Sequence, residues 1–184
     1  MTIDPTTTLR ELAFIVGAAL ADAGTIAVLS GGGAATVYAP ESNQSRDLDF
    51  ILGFRSALMG ASKQPLIDLG FEERGATFYH PAIPFSVEFP AGPLAIGDEL
   101  ITEWDTLEEN QRVLNILTPT DCVRDRLAWF VYYNDFRAVD QAVAVAARQP
   151  FHLDVVRDWC GREGAAQKFD VFMARLHRAN QKGD

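Results

Sequence analysis

The stretch from residue 28 to residue 50 constrains this chain more than any other. It reads V-L-S-G-G-G-A-A-T-V-Y, then a short polar segment, then R-D-L-D-F. An apolar run that stops at Gly31, Gly32 and Gly33 and resumes in small residues reads as a strand turning into a helix. The first turn of such a helix offers backbone N–H groups and a positive end to a phosphate. Asp47 and Asp49 follow, one residue apart in a new apolar run. In a strand, residues i and i+2 leave the same face, so the two carboxylates point together. Parallel carboxylates repel and resist burial, so the pair asks for a cation. Hard divalent ions with oxygen ligands, Mg²⁺ above all or Mn²⁺, meet that demand and bring phosphates with them. The whole stretch reads as a nucleotide–metal site.

Length and charge bound what surrounds it. The 184 residues suit one domain, or one core with a helical appendage. A hydrophobic content of 48% with 22% charged residues is that of a globular protein and argues against extensive disorder. No apolar run approaches the ~20 residues that span a bilayer. The opening residues carry no basic segment, so the expectation is a cytoplasmic chain without signal peptide or membrane partner. Cys122 and Cys160 lack metal-type spacing and are expected to be reduced, buried thiols. A net charge of −9 argues against a general nucleic-acid binder. The charge is uneven, however. Residues 1–117 hold 6 Lys and Arg against 16 Asp and Glu, whereas residues 118–184 hold 10 against 9, so a polyanionic partner belongs with the second half.

Along the chain, Thr8-Leu9-Arg10-Glu11 has the form of a capping box and opens a helix to about residue 23. Residues 25–29 read as a buried strand, residues 34–38 as one or two helical turns, and residues 40–44 as a polar loop. Residues 47–52 form the second strand. Residues 53–68 look helical, interrupted near Gln64-Pro65. A hairpin around Gly75-Ala76 precedes Phe85-Ser86-Val87-Glu88-Phe89, which alternates with period two and is a third core strand. Residues 91–110 read as loop-rich, with a short strand at Glu99-Leu100-Ile101, and residues 113–117 are again apolar. After Thr118-Pro119, a cap followed by Pro at the first helical position, the pattern becomes helical. Four helical segments follow, the first running to about Asn134 with Val123, Leu127, Phe130 and Val131 on one face.

Glu88 is the natural third carboxylate. It sits between Val87 and Phe89 in a stretch too apolar for a casual surface glutamate, and Ser86 shares its face. Three carboxylates from two neighbouring strands are what two-metal phosphoryl or nucleotidyl transfer requires. The competing readings are a tight turn for the glycines, a solvated strand end for Asp47 and Asp49, and a structural ion pair for Glu88. His80, His152 and His177 show no ligand spacing. Trp104, Trp129 and Trp159 are expected to be packing residues rather than stacking platforms.

The order glycine turn, Asp-x-Asp strand and single acidic strand resembles the polymerase-β-type nucleotidyltransferase superfamily. Within it, the chain looks most like the small prokaryotic proteins related to abortive-infection toxins. The segment L-T-P-T-D-C-V-R-D-R-L-A-W-F, continuing to N-D and V-D-Q-A-V, carries the likeness into the second half, which in all covers residues 12 to 147. The resemblance implies an α/β (α+β) fold: a small mixed β-sheet flanked by helices, with a C-terminal helical region. Residues 1–117 would be the nucleotidyltransferase core, and residues 118–184 the helical region packed on it. It implies Asp47, Asp49 and Glu88 as catalytic metal ligands for Mg²⁺ or Mn²⁺, and an NTP as substrate. Nucleotide binding falls to Ser30, Gly31, Gly32, Gly33, Ser45 and Arg124. Ser45 stands where relatives often carry Thr, and Arg124 where they often carry Lys. Arginine can fork onto phosphate but is a poor acid or base. The resemblance also implies an RNA 3′-end as acceptor near the helical half, and a cognate antitoxin. A small alcohol or protein hydroxyl as acceptor, a catalytically inactive nucleotide- or protein-binding module, a helical interaction protein and kinase chemistry are the alternatives.

Overall fold

The computed structural model describes residues 3–41, 45–53, 56 and 62–183. Helix α1 (Leu9–Asp22) opens on the expected capping box, with the Thr8 hydroxyl accepting from the Glu11 N–H and the Glu11 carboxylate from the Thr8 N–H. Strand β1 (Ala27–Ser30) leads directly into α2 (Gly31–Tyr38), which begins at the first glycine rather than at Ala34. All eight residues of α2 are buried, and the Gly and Ala residues over its first five positions let it lie close between the sheet and the helices that cover it. Strand β2 (Asp47–Leu52) follows. Residues 42–44 of the expected polar loop, and residues 54, 55 and 57–61 of the expected helix over residues 53–68, lie outside the described residues. Its last turn is α3 (Gln64–Asp68), with Pro65 in the first turn.

Strands β3 (Glu72–Arg74) and β4 (Thr77–Tyr79) form the expected hairpin, and β5 (Ser86–Glu88) is the third core strand. Strands β6 (Ala95–Ile96) and β7 (Glu99–Leu100) pair as a separate two-stranded sheet. The region read as loop-rich also holds β8 (Asp105–Glu109), which pairs with β9 (Arg112–Ile116). That hairpin turns on Asn110 and Gln111, both at positive φ (51° and 63°). Such turns usually advertise themselves by glycine. Here neither residue is glycine and β8 is mostly polar, so neither signal showed in the sequence. Helices α4 (Pro119–Tyr133), α5 (Phe136–Ala146), α6 (Leu153–Arg162) and α7 (Ala166–Gly183) complete the chain. Among the described residues, no helix is long and apolar enough to cross a membrane.

The main sheet is mixed, in the order β3-β4-β5-β2-β1-β9-β8. At its centre, β2 runs antiparallel to β1 with Ser30 opposite Asp49. On its other side β2 runs parallel to β5, with Asp47 opposite Ser86, Leu48 opposite Val87 and Asp49 opposite Glu88. Alternation then divides the strands cleanly. Leu48, Phe50 and Val87 turn to the core and are fully buried, while Asp47, Asp49, Ser86 and Glu88 share the other face and are only partly covered. One hydrophobic cluster joins α1, the sheet and the helices α4 to α7. Helix α2 touches α4 and α5 as well as β2, so the helical half closes over the carboxylate-bearing face.

Leu48 anchors the register that brings the three carboxylates together. Leu48→Ala should therefore lower stability by about 2–5 kcal/mol, the range for buried Leu truncations, read as a lower urea midpoint with an unchanged m-value.

Candidate active site

A cleft of about 910 Å³ lies over the acidic face, with walls drawn from β1, α2, β2, β5, α4 and the start of α5. Its floor is the acidic trio. Asp47 and Asp49 leave β2 on one side, and Glu88 stands opposite Asp49 on β5. Burial first, then the charges of Asp47 and Glu88, push the Asp49 carboxyl up to about 6, with Arg126 pulling the other way. A carboxylate shifted by burial and like charge within a cleft is a candidate functional group.

The glycine turn forms the adjoining wall. Gly31 has φ +68°, a region that side chains rarely adopt, and a Cβ there would stand 2.5 Å from Asp49 Oδ2. A Cβ on Gly32 would stand 2.8 Å from Ser45 Oγ. Both glycines therefore keep the cleft open beside the carboxylates. Gly33 does not line the cleft. A side chain there would meet the Asp47 carbonyl, Leu48 and Leu29, so its smallness lets α2 lie close on the strands. Ser30 is the N-cap residue of α2, but its hydroxyl donates to the Asp49 carbonyl at 3.2 Å instead of capping. The first-turn N–H groups of α2 are thus left without a side-chain cap, at the positive end of the helix and against the cleft.

Ser45 acts on Asp47. Its hydroxyl donates to Asp47 Oδ1, and its N–H donates to Thr36 Oγ1 at 3.0 Å. The Thr36 hydroxyl donates in turn to the Gly32 carbonyl at 2.9 Å. Glycine turn and acidic strand are thereby tied by a continuous hydrogen-bonded chain. Glu88 is held similarly, its Oε1 accepting from the Thr77 hydroxyl at 2.9 Å.

Arg124 is where the expectation from sequence meets a different geometry. It is buried away from the cleft, donating to Asp121 Oδ1 at 2.8 Å and to Glu99, with its guanidinium 5.9 Å from the centre of the Trp159 ring. Glu99 also accepts from Arg162. Burial disfavours the Glu99 charge, but the hydrogen bonds from Arg162 and Arg124 outweigh it and hold this carboxyl below its ordinary range. Arg124 thus pins the β6–β7 hairpin to α4 and α6. The arginine facing the carboxylates is Arg126. Residues two apart on a helix are ~200° apart around the axis, so only one of the two can look into the cleft. Arg126 forks onto Asp125 Oδ2 at 3.0 and 2.7 Å. Burial works against its charge, while Asp125 and, farther off, Asp49 keep the guanidinium protonated.

Trp129 also departs from expectation. Trp159 is fully buried, as a packing residue should be, but Trp129 is 48% exposed at the cleft wall. The signal was present in the periodicity, because Trp129 and Tyr133 fall off the apolar stripe of Val123, Leu127 and Phe130. Cys122 and Cys160 are free and buried, as expected.

Among the described residues, no group of three or more His, Cys, Asp and Glu side chains stands in a ready metal-holding arrangement. Hydroxyl groups occupy one oxygen each of Asp47 and Glu88 instead. The donor set nevertheless fits a hard divalent ion. It consists of carboxylate oxygens, and burial together with the like charges of Asp47 and Glu88 raises the Asp49 carboxyl, which a bound cation would relieve.

No family model and no curated protein matches the sequence. Among solved structures, the chain is similar to the solution structure of the antibiotic-resistance factor ANT(2'')-Ia, at 14% identity and a TM-score of 0.47, covering 95% of this chain and 96% of that one. At that score the similarity carries no argument about function.

Asp49 is destabilising as placed. Its folded pKa lies above its unfolded value, so the penalty is absent below about pH 4, grows between pH 4 and 6, and is complete above pH 6. Asp49→Asn should raise stability by about 1–2 kcal/mol at pH 7.5, after allowing for partial solvent screening, and by nothing near pH 3.5. Thermal melts across this range test it. Millimolar Mg²⁺ or Mn²⁺ should raise the melting temperature of the wild type and leave that of Asp49→Asn nearly unchanged.

Proposed function

We propose that this chain is a metal-dependent nucleotidyltransferase, moving an NMP from an NTP to an acceptor hydroxyl. One observation carries the reading: Asp47, Asp49 and Glu88 share a sheet face in paired register, beside the uncapped glycine turn of α2. The N–H groups of Gly31 and Gly32 would hold the NTP phosphates, and Arg126 would add a fixed positive charge near them. Ser45 holds Asp47 in orientation, and Thr77 does the same for Glu88. Asp47, Asp49 and Glu88 would hold Mg²⁺ or Mn²⁺, which when bound supplies Lewis-acid charge stabilisation and a more acidic acceptor hydroxyl. Glu88 favours loss of the acceptor proton. The acceptor oxygen then bonds to the α-phosphorus as the bond from that phosphorus to the oxygen bridging to the β-phosphate breaks, and pyrophosphate leaves. An RNA 3′-end as acceptor, a toxin-like role and a cognate antitoxin are carried forward from the family resemblance alone.

The test is incorporation of α-³²P-labelled NTP into RNA and small-molecule pools. Asp47→Ala, Asp49→Ala and Glu88→Ala should each reduce transfer by roughly a thousandfold or more. Arg126→Ala should reduce it by about a hundredfold. Arg124→Ala should instead lower stability by about 1.5–3 kcal/mol, because Asp121 loses its cationic partner and Glu99 keeps only the exposed Arg162. Transfer of a γ-label in place of an α-label would make the protein a kinase. No incorporation from any NTP, with Mg²⁺ or Mn²⁺, would leave a binding module.

A further inference from the structure

One wall of the cleft carries an exposed aromatic side chain, Trp129. Arg126, Trp129 and Tyr133 lie three and four residues apart on α4, so they form one rail along its surface. The rail starts in the cleft that holds the carboxylates, where Arg126 is part of the lining. It then steps outward at ~5 Å per helical turn. The Arg126 guanidinium is 6.0 Å from the centre of the Trp129 ring, and the Trp129 and Tyr133 rings are 5.1 Å apart at 41°. Three flat groups thus lead from the floor of the cleft to solvent.

Two features separate this rail from incidental surface. Helical pairing of exposed aromatics contributes only about 0.2–0.5 kcal/mol, far less than burial of an indole. Yet Trp129 remains 48% exposed and Tyr133 70% exposed, in a chain that buries Trp159 completely. The rail is also fixed in place. Lys168 of α7 donates to the Phe130 carbonyl at 2.6 Å, the Val131 carbonyl at 2.9 Å and Asn134 Oδ1 at 2.7 Å, and Asn134 closes α4 in the left-handed conformation. A platform that is already rigid loses little entropy when a flat ligand settles on it. The ligand it fits is planar, and an anionic end would be met by Arg126 and Arg137 together with the uncapped turn of α2, in a cleft that also carries the carboxylates of Asp47, Asp49, Glu88, Asp125 and Asp135.

We propose that Trp129, backed by Tyr133, is the platform on which a nucleobase stacks. The inference rests on the nucleotide reading of the site only for the phosphate end of the ligand. The base can belong to the NTP or to the terminal residue of an RNA acceptor, and the two sources are separable by experiment.

The full chain carrying Trp104→Phe leaves Trp129 as the exposed indole and Trp159 as the buried one. Its tryptophan fluorescence, excited at the red edge of indole absorption, is followed while each ligand is added alone, so that no transfer occurs. The ligands are ATP, UTP, the two nucleosides, inorganic tripolyphosphate and a short single-stranded oligoribonucleotide with a free 3′-hydroxyl. Quenching by the NTPs and nucleosides but not by tripolyphosphate assigns the platform to the NTP base. Quenching by the oligoribonucleotide alone assigns it to the acceptor. In the assigned case, Trp129→Leu should weaken binding roughly five- to hundredfold, read by calorimetry, and Trp129→Phe should restore most of it. The corresponding KM should rise with kcat little changed. Absence of quenching by every base-containing ligand overturns the proposal, as does wild-type affinity in a folded Trp129→Leu variant. Should Trp129→Leu fail to fold, the fluorescence titration and the Trp129→Phe variant decide alone. Base-dependent binding without α-label transfer sinks the transferase reading and keeps the platform, while transfer with an unaltered KM in Trp129→Leu sinks the platform only.

Discussion

The register between β2 and β5 is the constraint on which the rest of this structure depends. It sets Asp49 opposite Glu88 and Asp47 two residues away on the same face, where all three repel. The pairing persists because the opposite face is worth more. Burying each of Leu48, Phe50 and Val87 contributes about 1.5–3 kcal/mol, against about 1–2 kcal/mol lost at Asp49. A slip of one residue would turn the apolar set to solvent, so the hydrophobic face fixes the polar one. The carboxylates are carried into proximity by their neighbours.

The same logic explains the glycine turn. Across β1 and β2, Ser30 pairs with Asp49, so the chain must leave β1 directly over that carboxylate. No side chain fits there, and the left-handed φ of Gly31 lets the helix start at once. The Thr36, Ser45 and Asp47 hydrogen bonds then hold the turn and the acidic strand as one rigid unit. Such rigidity suits the transferase activity proposed above, since catalysis by positioned charge needs donors and carboxylates in place before a ligand arrives. The site stores electrostatic cost to achieve this, a trade common where function and stability compete.

Helix α4 serves both halves of the molecule with alternate residues. One side carries Arg124 into a buried network with Asp121 and Glu99 that fastens the β6–β7 hairpin. Another side presents Asp125, Arg126 and Trp129 to the cleft. Two arginines of the same charge, two positions apart, thereby act in separate places, one in architecture and one beside the acidic floor. Lys168 closes the far end of α4 from α7, so the C-terminal helix contributes to the cleft without touching it.

Much of this was legible in the sequence. The strand entering three glycines, the Asp-Leu-Asp alternation and the apolar frame of Glu88 encode local periodicities, and periodicity is what a linear pattern preserves. The capping box at Thr8 and the Thr118-Pro119 start of α4 were readable for the same reason. Missed features had no local cause. The β8–β9 hairpin turns on Asn110 and Gln111 without a glycine, and β8 pairs through its backbone while its side chains stay mostly polar. Gly33 looks like its two neighbours in sequence, yet it packs against the strands while they face the cleft. Sequence alone determined that Asp47, Asp49 and Glu88 could share one sheet face beside a glycine turn, because side-chain chemistry and strand alternation are local properties. Only the tertiary structure decided that Arg126 rather than Arg124 lines the cleft with the carboxylates and that Trp129 stays in the open, because the rotation of a helix about its axis is set by what packs against it.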